Sequence, residues 1–265
     1  EESLKRLRTD YVDILYTHNV QDRELVRLEG ILEAMTRMKK DGKIRFSGFS
    51  THSRMGECID EALKLDVYEV ILTSWNYAMA GDAEYRTILK RAAARGMGLV
   101  AMKTQCSQLW YQRNLPEEQQ ALYRDILHTA VLKWALNNDF IHTAVPGYKT
   151  FQEMEEDFSV AYNLDYTDAE RRYLEDRQVR LSLGYCVQCR TCEPSCPYGV
   201  QVPELMRVHL YAAGYASLDK ARETLDEIPR RKGLEACASC GTCRAVCANT
   251  VPIGERIRSL RRMFV

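Results

Sequence analysis

The sequence predicts an α/β domain with a parallel sheet, followed by a smaller, helical, cysteine-rich domain. Three observations carry this prediction. Up to about Leu164, short apolar runs rich in β-branched residues alternate with longer stretches of helical period. Beyond Leu164 the strand-like runs cease. Eight of the ten cysteines then follow between Cys186 and Cys247.

The first part of the chain reads as five successive strand-helix units. The candidate strands are residues 11–17, 44–50, 67–74, 98–103 and 141–145. The candidate helices are residues 24–40, 54–65, 84–95, 117–137 and 150–161. Because each apolar strand is followed by a helix, the strands are expected to run parallel, with helices covering at least one face of the sheet.

The end of the strand signal sets the expected domain boundary. We predict that residues 1–170 form the α/β portion, that residues 171–182 are a linker, and that residues 183–265 form the cysteine-rich domain. In that second domain a helical stretch, residues 203–225, separates two groups of cysteines.

Composition excludes several classes of protein. The 37 basic and 37 acidic residues give no net charge, which argues against nucleic-acid binding. No apolar run approaches the ~18 residues of a membrane span, and the first residues do not resemble a signal peptide. Cysteines grouped in short runs do not suit a secreted disulfide framework. We therefore expect a cytoplasmic protein that binds a small molecule or another protein.

The two cysteine runs share one spacing. The first is C-x-x-C-x-x-C-x-x-x-C-P from Cys186 to Pro197, and the second repeats the 2-2-3 spacing from Cys237 to Cys247. This is the ligand spacing of ferredoxins with two [4Fe–4S] clusters, in which the fourth cysteine of each run binds the other cluster. Two zinc sites are the alternative, although zinc sites usually use paired C-x-x-C knuckles.

The crossed arrangement predicts two ligand sets. One set is Cys186, Cys189, Cys192 and Cys247; the other is Cys237, Cys240, Cys243 and Cys196. Residues 180–265 carry 13 Lys and Arg against 8 Asp and Glu. This basic excess can offset the negative charge of two thiolate-bound clusters.

With its helical insertion, the stretch from about 183 to 262 resembles the alpha-helical ferredoxin of the iron–sulfur subunits of succinate dehydrogenase and fumarate reductase. The first part of the chain is similar to the aldo-keto reductases. The resemblance rests on residues 3–18 (SLKRLRTDYVDILYTH), 42–50 (GKIRFSGFS) and 145–150 (VPGYKT). A subgroup of that family carries a ferredoxin-like module after its barrel, so the two resemblances agree.

The resemblance implies a (β/α)₈ TIM barrel that binds NAD(P) at the carboxyl ends of its strands. His18 would be the catalytic histidine that polarises a substrate carbonyl. The residues expected to bind the cofactor are Ser50, Thr51, Trp75, Asn76, Gly147, Lys149 and Thr150. Glu153 stands where many members have an arginine that contacts the 2′-phosphate, which places a preference for NADPH in doubt. Cys106, predicted in a loop at the same rim, is either a reactive thiol or an incidental cysteine. We expect the second, because no adjacent histidine or helix N-terminus is evident in the sequence to activate it.

Five strands account for only the last five βα units of such a barrel. The family's catalytic aspartate, tyrosine and lysine belong to the first three units, and no stretch of this sequence matches them. We therefore expect the N-terminal part of the barrel to be absent from this chain or supplied by another polypeptide.

Three functions remain open from the sequence. The first is an oxidoreductase of the aldo-keto reductase type, coupled through two [4Fe–4S] clusters to a redox partner protein. The second is a non-enzymatic electron-transfer subunit that uses the barrel remnant as a scaffold. The third gives the clusters a purely structural role.

Overall fold

The fold was taken from a computed structural model, which describes residues 1–105, 127–148, 150–176, 186–214, 217–248 and 251–265. These residues divide into two compact units. Residues 1–105 and 129–166 belong to the first unit, and the chain from Thr167 onward belongs to the second. The predicted linker is described only up to residue 176.

The first unit is built on a five-stranded parallel sheet in the order β1-β2-β3-β4-β5. The strands are β1 (Val12–Thr17), β2 (Ile44–Thr51), β3 (Val70–Ser74), β4 (Gly98–Met102) and β5 (Thr143–Val145). All four strand pairs are parallel. The prediction of a parallel α/β sheet is therefore confirmed.

Helices connect these strands and cover the sheet. They are α1 (Glu2–Leu7), α2 (Arg23–Val26), α3 (Glu29–Lys40), α4 (Met55–Ala62), α5 (Ala83–Ala94), α6 (His128–Leu136) and α7 (Phe151–Val160). The core includes Phe49, Ile71 and Leu99, which are fully buried at the centre of the sheet. Cys58 is buried in α4, as the sequence predicts for a small apolar side chain.

The structure corrects several predicted boundaries. The helix predicted for 24–40 is two helices, because Leu28 adopts an extended conformation (ψ 112°) between α2 and α3. The strand predicted for 98–103 ends at Met102, because Lys103 has a φ of 55°. Helix α1 was not predicted. Of the helix predicted for 117–137, the part before residue 127 lies outside the described residues.

In the described part of the second unit every element is helical. The α-helices are α8 (Asp168–Glu175), α9 (Val202–His209), α10 (Leu218–Asp226), α11 (Leu234–Cys237) and α12 (Ile253–Phe264). There are also 3₁₀ turns at Glu193–Ser195 and Arg230–Lys232 and a π-helical turn at Leu210–Gly214. That turn ends α9, so the helix predicted for 203–225 is two helices. The core packs Leu205, Met206 and Leu260 together, and cysteines of both runs pack against it.

None of the helices within the described ranges has the length and apolarity needed to cross a bilayer.

Strands β2 and β3 approach each other closely at Gly48. A Cβ atom built on Gly48 would lie 2.1 Å from the carbonyl oxygen of Val70 and 3.0 Å from the ring of Tyr16. The carbonyl belongs to the sheet backbone and cannot move aside alone. Only glycine therefore fits at position 48 when β2 and β3 are paired in this register.

We expect Gly48→Ala to lower the free energy of unfolding by about 3 kcal/mol, because the added methyl group forces β2 and β3 apart. Urea unfolding followed by circular dichroism measures this change. Gly30→Ala is the matched control, since Gly30 lies in α3 with no atom within 4 Å of an added Cβ. Alanine there should leave stability unchanged or raise it by up to about 1 kcal/mol. Equal stability of the Gly48→Ala variant and the unmodified chain would contradict the close approach.

Candidate functional site

The carboxyl ends of the parallel strands bring together the residues predicted to bind a substrate and a cofactor. His18 follows β1, Ser50 and Thr51 end β2, and Trp75 follows β3. Since neighbouring parallel strands end on the same side of a sheet, these residues share one rim. Gly147, which follows β5, is exposed there, whereas Lys149 and Cys106 lie outside the described residues.

His18 is held in place by Ser50 from the neighbouring strand. The imidazole Nδ1 lies 3.1 Å from the Ser50 hydroxyl oxygen. The same oxygen accepts a hydrogen bond from the backbone N–H of Asn19 at 2.9 Å. Ser50 is buried, while His18 is exposed. The ring is therefore anchored through one nitrogen, and the other can meet a ligand.

This anchoring permits two chemical roles for His18. If the Ser50 hydroxyl donates to Nδ1, then Nε2 carries the proton and can donate to a carbonyl oxygen. If Nδ1 donates to Ser50, then Nε2 is a proton acceptor. Both roles use a neutral imidazole.

Other hydroxyl and aromatic groups of this rim are engaged within the protein. The Thr51 hydroxyl donates to the carbonyl of Ser53 at 2.9 Å. Trp75 is fully buried and stacks on Trp134, with ring centroids 5.4 Å apart. Phe140 packs edge-on against Trp75 at 5.3 Å. Trp75 is thus a core aromatic, with its ring faces covered by other side chains.

Two buried N–H donors at the end of β3 have no hydrogen-bond partner. They are the indole Nε1 of Trp75 and the side-chain Nδ2 of Asn76, both in fully buried residues. The side-chain oxygen of Asn76 (Oδ1), by contrast, accepts a hydrogen bond from the backbone N–H of Ala78 at 3.1 Å. Because buried donors normally find partners, these two are candidates for contact with a bound molecule.

Thr150 is the N-cap residue of α7 and forms a capping box with Glu153. The Thr150 hydroxyl accepts from the N–H of Glu153 at 3.1 Å, and the Glu153 carboxylate accepts from the N–H of Thr150 at 3.3 Å. Two groups that could bind a phosphate at this helix N-terminus are therefore occupied by the chain itself. The carboxylate also adds a negative charge.

Sequence reasoning overlooked two residues beside His18. The ring of His52 lies edge-on to that of His18, with centroids 6.4 Å apart. Asn19 has a φ of 55°, and its side-chain oxygen is buried without a hydrogen-bond partner. A polar run after a predicted strand, His18-Asn19 or Ser50-Thr51-His52-Ser53, is the signal that could have identified both.

The eight clustered cysteines surround two separate cavities. The first cavity is lined by Cys186, Cys189, Cys192 and Cys247. The second cavity is lined by Cys196, Cys237, Cys240 and Cys243. Each cavity thus takes three thiols from one run and the fourth from the other, which is the grouping that the spacing predicts.

Hydrogen bonds between the two runs hold this crossed arrangement. The backbone N–H of Val246 donates to the Ser195 hydroxyl at 3.0 Å, next to Cys247 and Cys196. The Tyr198 hydroxyl donates to the carbonyl of Ser239 at 3.3 Å. Contacts between residues 41 and 51 positions apart fix the fourth cysteine of each run beside the other run.

The loop of the first run is wrapped around its cavity. Gln188 and Arg190 adopt φ angles of 59° and 64°, the left-handed region that non-glycine residues rarely occupy. The Gln188 side chain donates to the carbonyl of Pro203 at 2.9 Å and thereby anchors the loop to α9. The Thr191 hydroxyl donates to the sulfur of Cys189 at 3.2 Å.

The chemistry of the donor sets fits a metal cluster. Burial, together with the charges of Cys189, Cys192 and Cys247, raises the pKa of Cys186 to about 12. Burial also raises the pKa of Cys237 to about 11, with a contribution from Cys196. Four thiols that share a half-buried cavity ionise together only if positive charge is placed between them. Iron bound to the sulfurs would supply that charge.

A buried ion network supports the first cavity. Arg207 in α9 contacts Glu204 at 2.9 Å, and both side chains are less than one-tenth exposed. Arg190, next to Cys189, contacts Glu193 at 2.6 Å and Glu204 at 3.6 Å. The charge of Arg190 is therefore compensated.

Comparison with known protein families finds a match for each of the two parts of the chain. The model of the aldo/keto reductase family matches residues 1–125, and that of the 4Fe-4S dicluster domain matches residues 182–251. The curated L-galactose dehydrogenase of Arabidopsis thaliana is 22% identical over 206 residues, which are 66% of this chain. The chain spans 60% of the length of that relative.

Solved structures of aldo-keto reductases have a similar fold. The aldo-keto reductase AKR11C1 from Bacillus halodurans, in its holo form, is 22% identical with a TM-score of 0.51. The match covers 68% of this chain and 67% of that chain. Its apo form matches with a TM-score of 0.50 at the same identity, over 68% of this chain and 69% of that chain. At this identity the similarity concerns the fold.

Proposed function

We propose that the chain is an iron–sulfur oxidoreductase of the aldo-keto reductase type that holds two [4Fe–4S] clusters. The observation that carries the proposal is the pair of cavities, each lined by three cysteines of one run and the fourth of the other. The family matches to both halves of the chain support it. Such clusters, when bound, accept and release single electrons.

The direct test is the metal content of the chain prepared without oxygen. We expect about eight irons and eight sulfides per chain, with a broad absorption near 400 nm that dithionite bleaches. About four irons per chain would leave only one cluster. Stoichiometric zinc without iron would replace the proposal by the zinc alternative.

We further propose that the rim of strand ends binds a nicotinamide cofactor, which, when bound, supplies or accepts a hydride. In this proposal His18 donates from Nε2 to a carbonyl oxygen, while Ser50 holds the ring in the required orientation. The unpaired N–H groups of Trp75 and Asn76 are donors available to an amide or phosphate oxygen.

The capping box at Thr150 predicts the choice of nucleotide. We expect the chain to favour NADH over NADPH, because the Glu153 carboxylate repels a 2′-phosphate. Glu153→Arg should raise the affinity for NADPH relative to NADH by about tenfold, or 1.4 kcal/mol. Fluorescence titration with each nucleotide measures the ratio.

The control for this prediction is Glu155→Arg, the same charge reversal at an exposed position of α7 outside the capping box. It should change the ratio by less than about threefold, since a solvated charge outside the site is screened. An equal change in both variants would assign the effect to general electrostatics. Failure of the unmodified chain to bind either nucleotide would remove the nicotinamide role.

A second function, an electron-transfer subunit with the sheet as a scaffold, is favoured by one observation. Thr51, Trp75 and Thr150, all expected to bind the cofactor, are engaged in contacts within the chain. If two clusters are present and no nucleotide binds, this second function is the one that remains.

A further inference from the structure

The two cysteine cavities differ in the charge that surrounds them. Arg190, the basic residue that lines the first cavity, is paired with Glu193 and Glu204. The second cavity is lined by Arg244, Arg258 and Arg261. In the described residues, no carboxylate lies within salt-bridge distance of any of these three arginines.

Two of the arginines that line the second cavity lie in α12, and a further arginine lies beside them on an exposed face of this helix. Arg258, Arg261 and Arg262 lie three and four residues apart, so they share one side of the helix. The opposite side packs Ile253, Ile257 and Leu260 into the core. Arg244, Arg258 and Arg262 are exposed. Glu255 is the one acidic residue of α12, against four arginines.

Two exposed apolar side chains accompany these arginines. Tyr198 lines the second cavity and is 48% exposed. Val246 is 70% exposed and directly follows Ala245, which lines the same cavity. Exposed apolar side chains accompanied by arginines are a common composition of protein interfaces. We call this set of six residues the basic surface: Tyr198, Arg244, Val246, Arg258, Arg261 and Arg262.

We propose that the basic surface is the docking site of an acidic electron-carrier protein, which exchanges one electron at a time with the cluster of the second cavity. The inference rests on the proposed function and names its partner class. In each encounter the donor loses one electron and the acceptor gains one, and no bond or proton is exchanged. Flavodoxin-like and ferredoxin-like carriers have this chemistry.

Charge complementarity selects the acidic carrier. A [4Fe–4S] cluster with four thiolates carries roughly two negative charges when oxidised, so the four arginines leave the basic surface positive. A carrier protein with carboxylates around its redox group has the complementary charge. The electrostatic field of the basic surface would steer such a carrier toward it. Electron-transfer encounters bury little area, which a patch of six residues can provide. A nucleic acid, the other polyanion, would not explain arginines placed around a cluster cavity.

The test measures binding of the iron-loaded full chain to a flavodoxin at low ionic strength, by calorimetry without oxygen. Arg262→Glu is the main variant, because Arg262 belongs to the basic surface but does not line the cavity. We expect it to weaken binding by about tenfold, and Arg244→Glu/Arg262→Glu by more. Arg231→Glu is the matched control, an exposed arginine outside the basic surface, and should change binding by less than about threefold. Raising the salt concentration should weaken binding of the unmodified chain.

Several results would overturn the proposal. One is equal weakening by Arg231→Glu and Arg262→Glu. Others are tighter binding to a basic cytochrome c or a 20-base-pair DNA than to flavodoxin, or no binding to flavodoxin by an iron-loaded chain. Iron content and the reduction potential of the clusters are measured for every variant. A chain without clusters refutes the proposed function itself, whereas a loaded chain that does not bind refutes only the docking site.

Discussion

We expect Cys196→Ser to abolish the cluster of the second cavity and to leave the cluster of its own cysteine run intact. Iron should fall from about eight to about four per chain, because a [4Fe–4S] cluster that lacks one thiolate is lost as a unit. The reason is the crossed arrangement, in which Cys196 lines the cavity of Cys237, Cys240 and Cys243. Iron analysis and the electron paramagnetic resonance spectrum of the reduced chain measure the loss.

Double variants identify which cluster has been lost. Cys196→Ser combined with Cys240→Ser should retain about four irons, because both cysteines line the second cavity. Cys196→Ser combined with Cys189→Ser should lose nearly all iron, because Cys189 lines the first cavity. The reverse pattern would show that each run binds its own cluster. Cys247→Ser is the mirror variant and should remove the first cluster.

We expect Arg207→Met to lower the free energy of unfolding of the second unit by about 3–5 kcal/mol. The substitution leaves the carboxylate of Glu204 buried without its nearest positive charge, 2.9 Å away. Arg190 remains 3.6 Å from Glu204 and compensates its charge only in part. Breaking a buried ion pair is among the costliest single changes in a protein. Urea unfolding under anaerobic conditions, followed by circular dichroism, measures the difference.

The control is Lys220→Met. Lys220 and Glu223 are also three residues apart on one helix and also 2.9 Å apart, but both side chains are more than half exposed. An exposed pair contributes about 0–1 kcal/mol, so this variant should remain close to the unmodified chain. The double variant Glu204→Leu/Arg207→Met should recover much of the lost stability. Equal, small effects of Arg207→Met and Lys220→Met would contradict the buried network.

The sequence predicted the strands better than the helices. Five apolar runs gave five parallel strands. The reason is clearest for β3 and β4, since strands buried on both faces need a continuous apolar stretch. Two long helices were predicted where the structure has breaks, at Leu28 and at Leu210–Gly214. Hydrophobic periodicity continues across such breaks, and therefore does not reveal them.

For the candidate sites, too, the sequence predicted one part and missed another. Identical 2-2-3 spacing predicted how the eight cysteines group, because a cluster of fixed size requires ligands at fixed intervals. The roles assigned to Thr51, Trp75 and Thr150 depended on the family resemblance, and in the structure these side chains contact the chain itself. His18 illustrates the difference, since its position after β1 was predicted but its anchor, Ser50, was not.

The sequence by itself determined which chemical groups this protein has and how they are ordered: five strand-helix units, His18 after the first strand, and two equal sets of four thiols. Only the tertiary structure decided which groups meet. It paired His18 with Ser50 across 32 residues and bound Ser195 to Val246 across 51. It also placed around the second cavity three arginines that have no carboxylate partner among the described residues. The physical reason is that spacing along the chain governs contacts within one helix, strand or loop, whereas contacts between elements depend on how their buried faces pack.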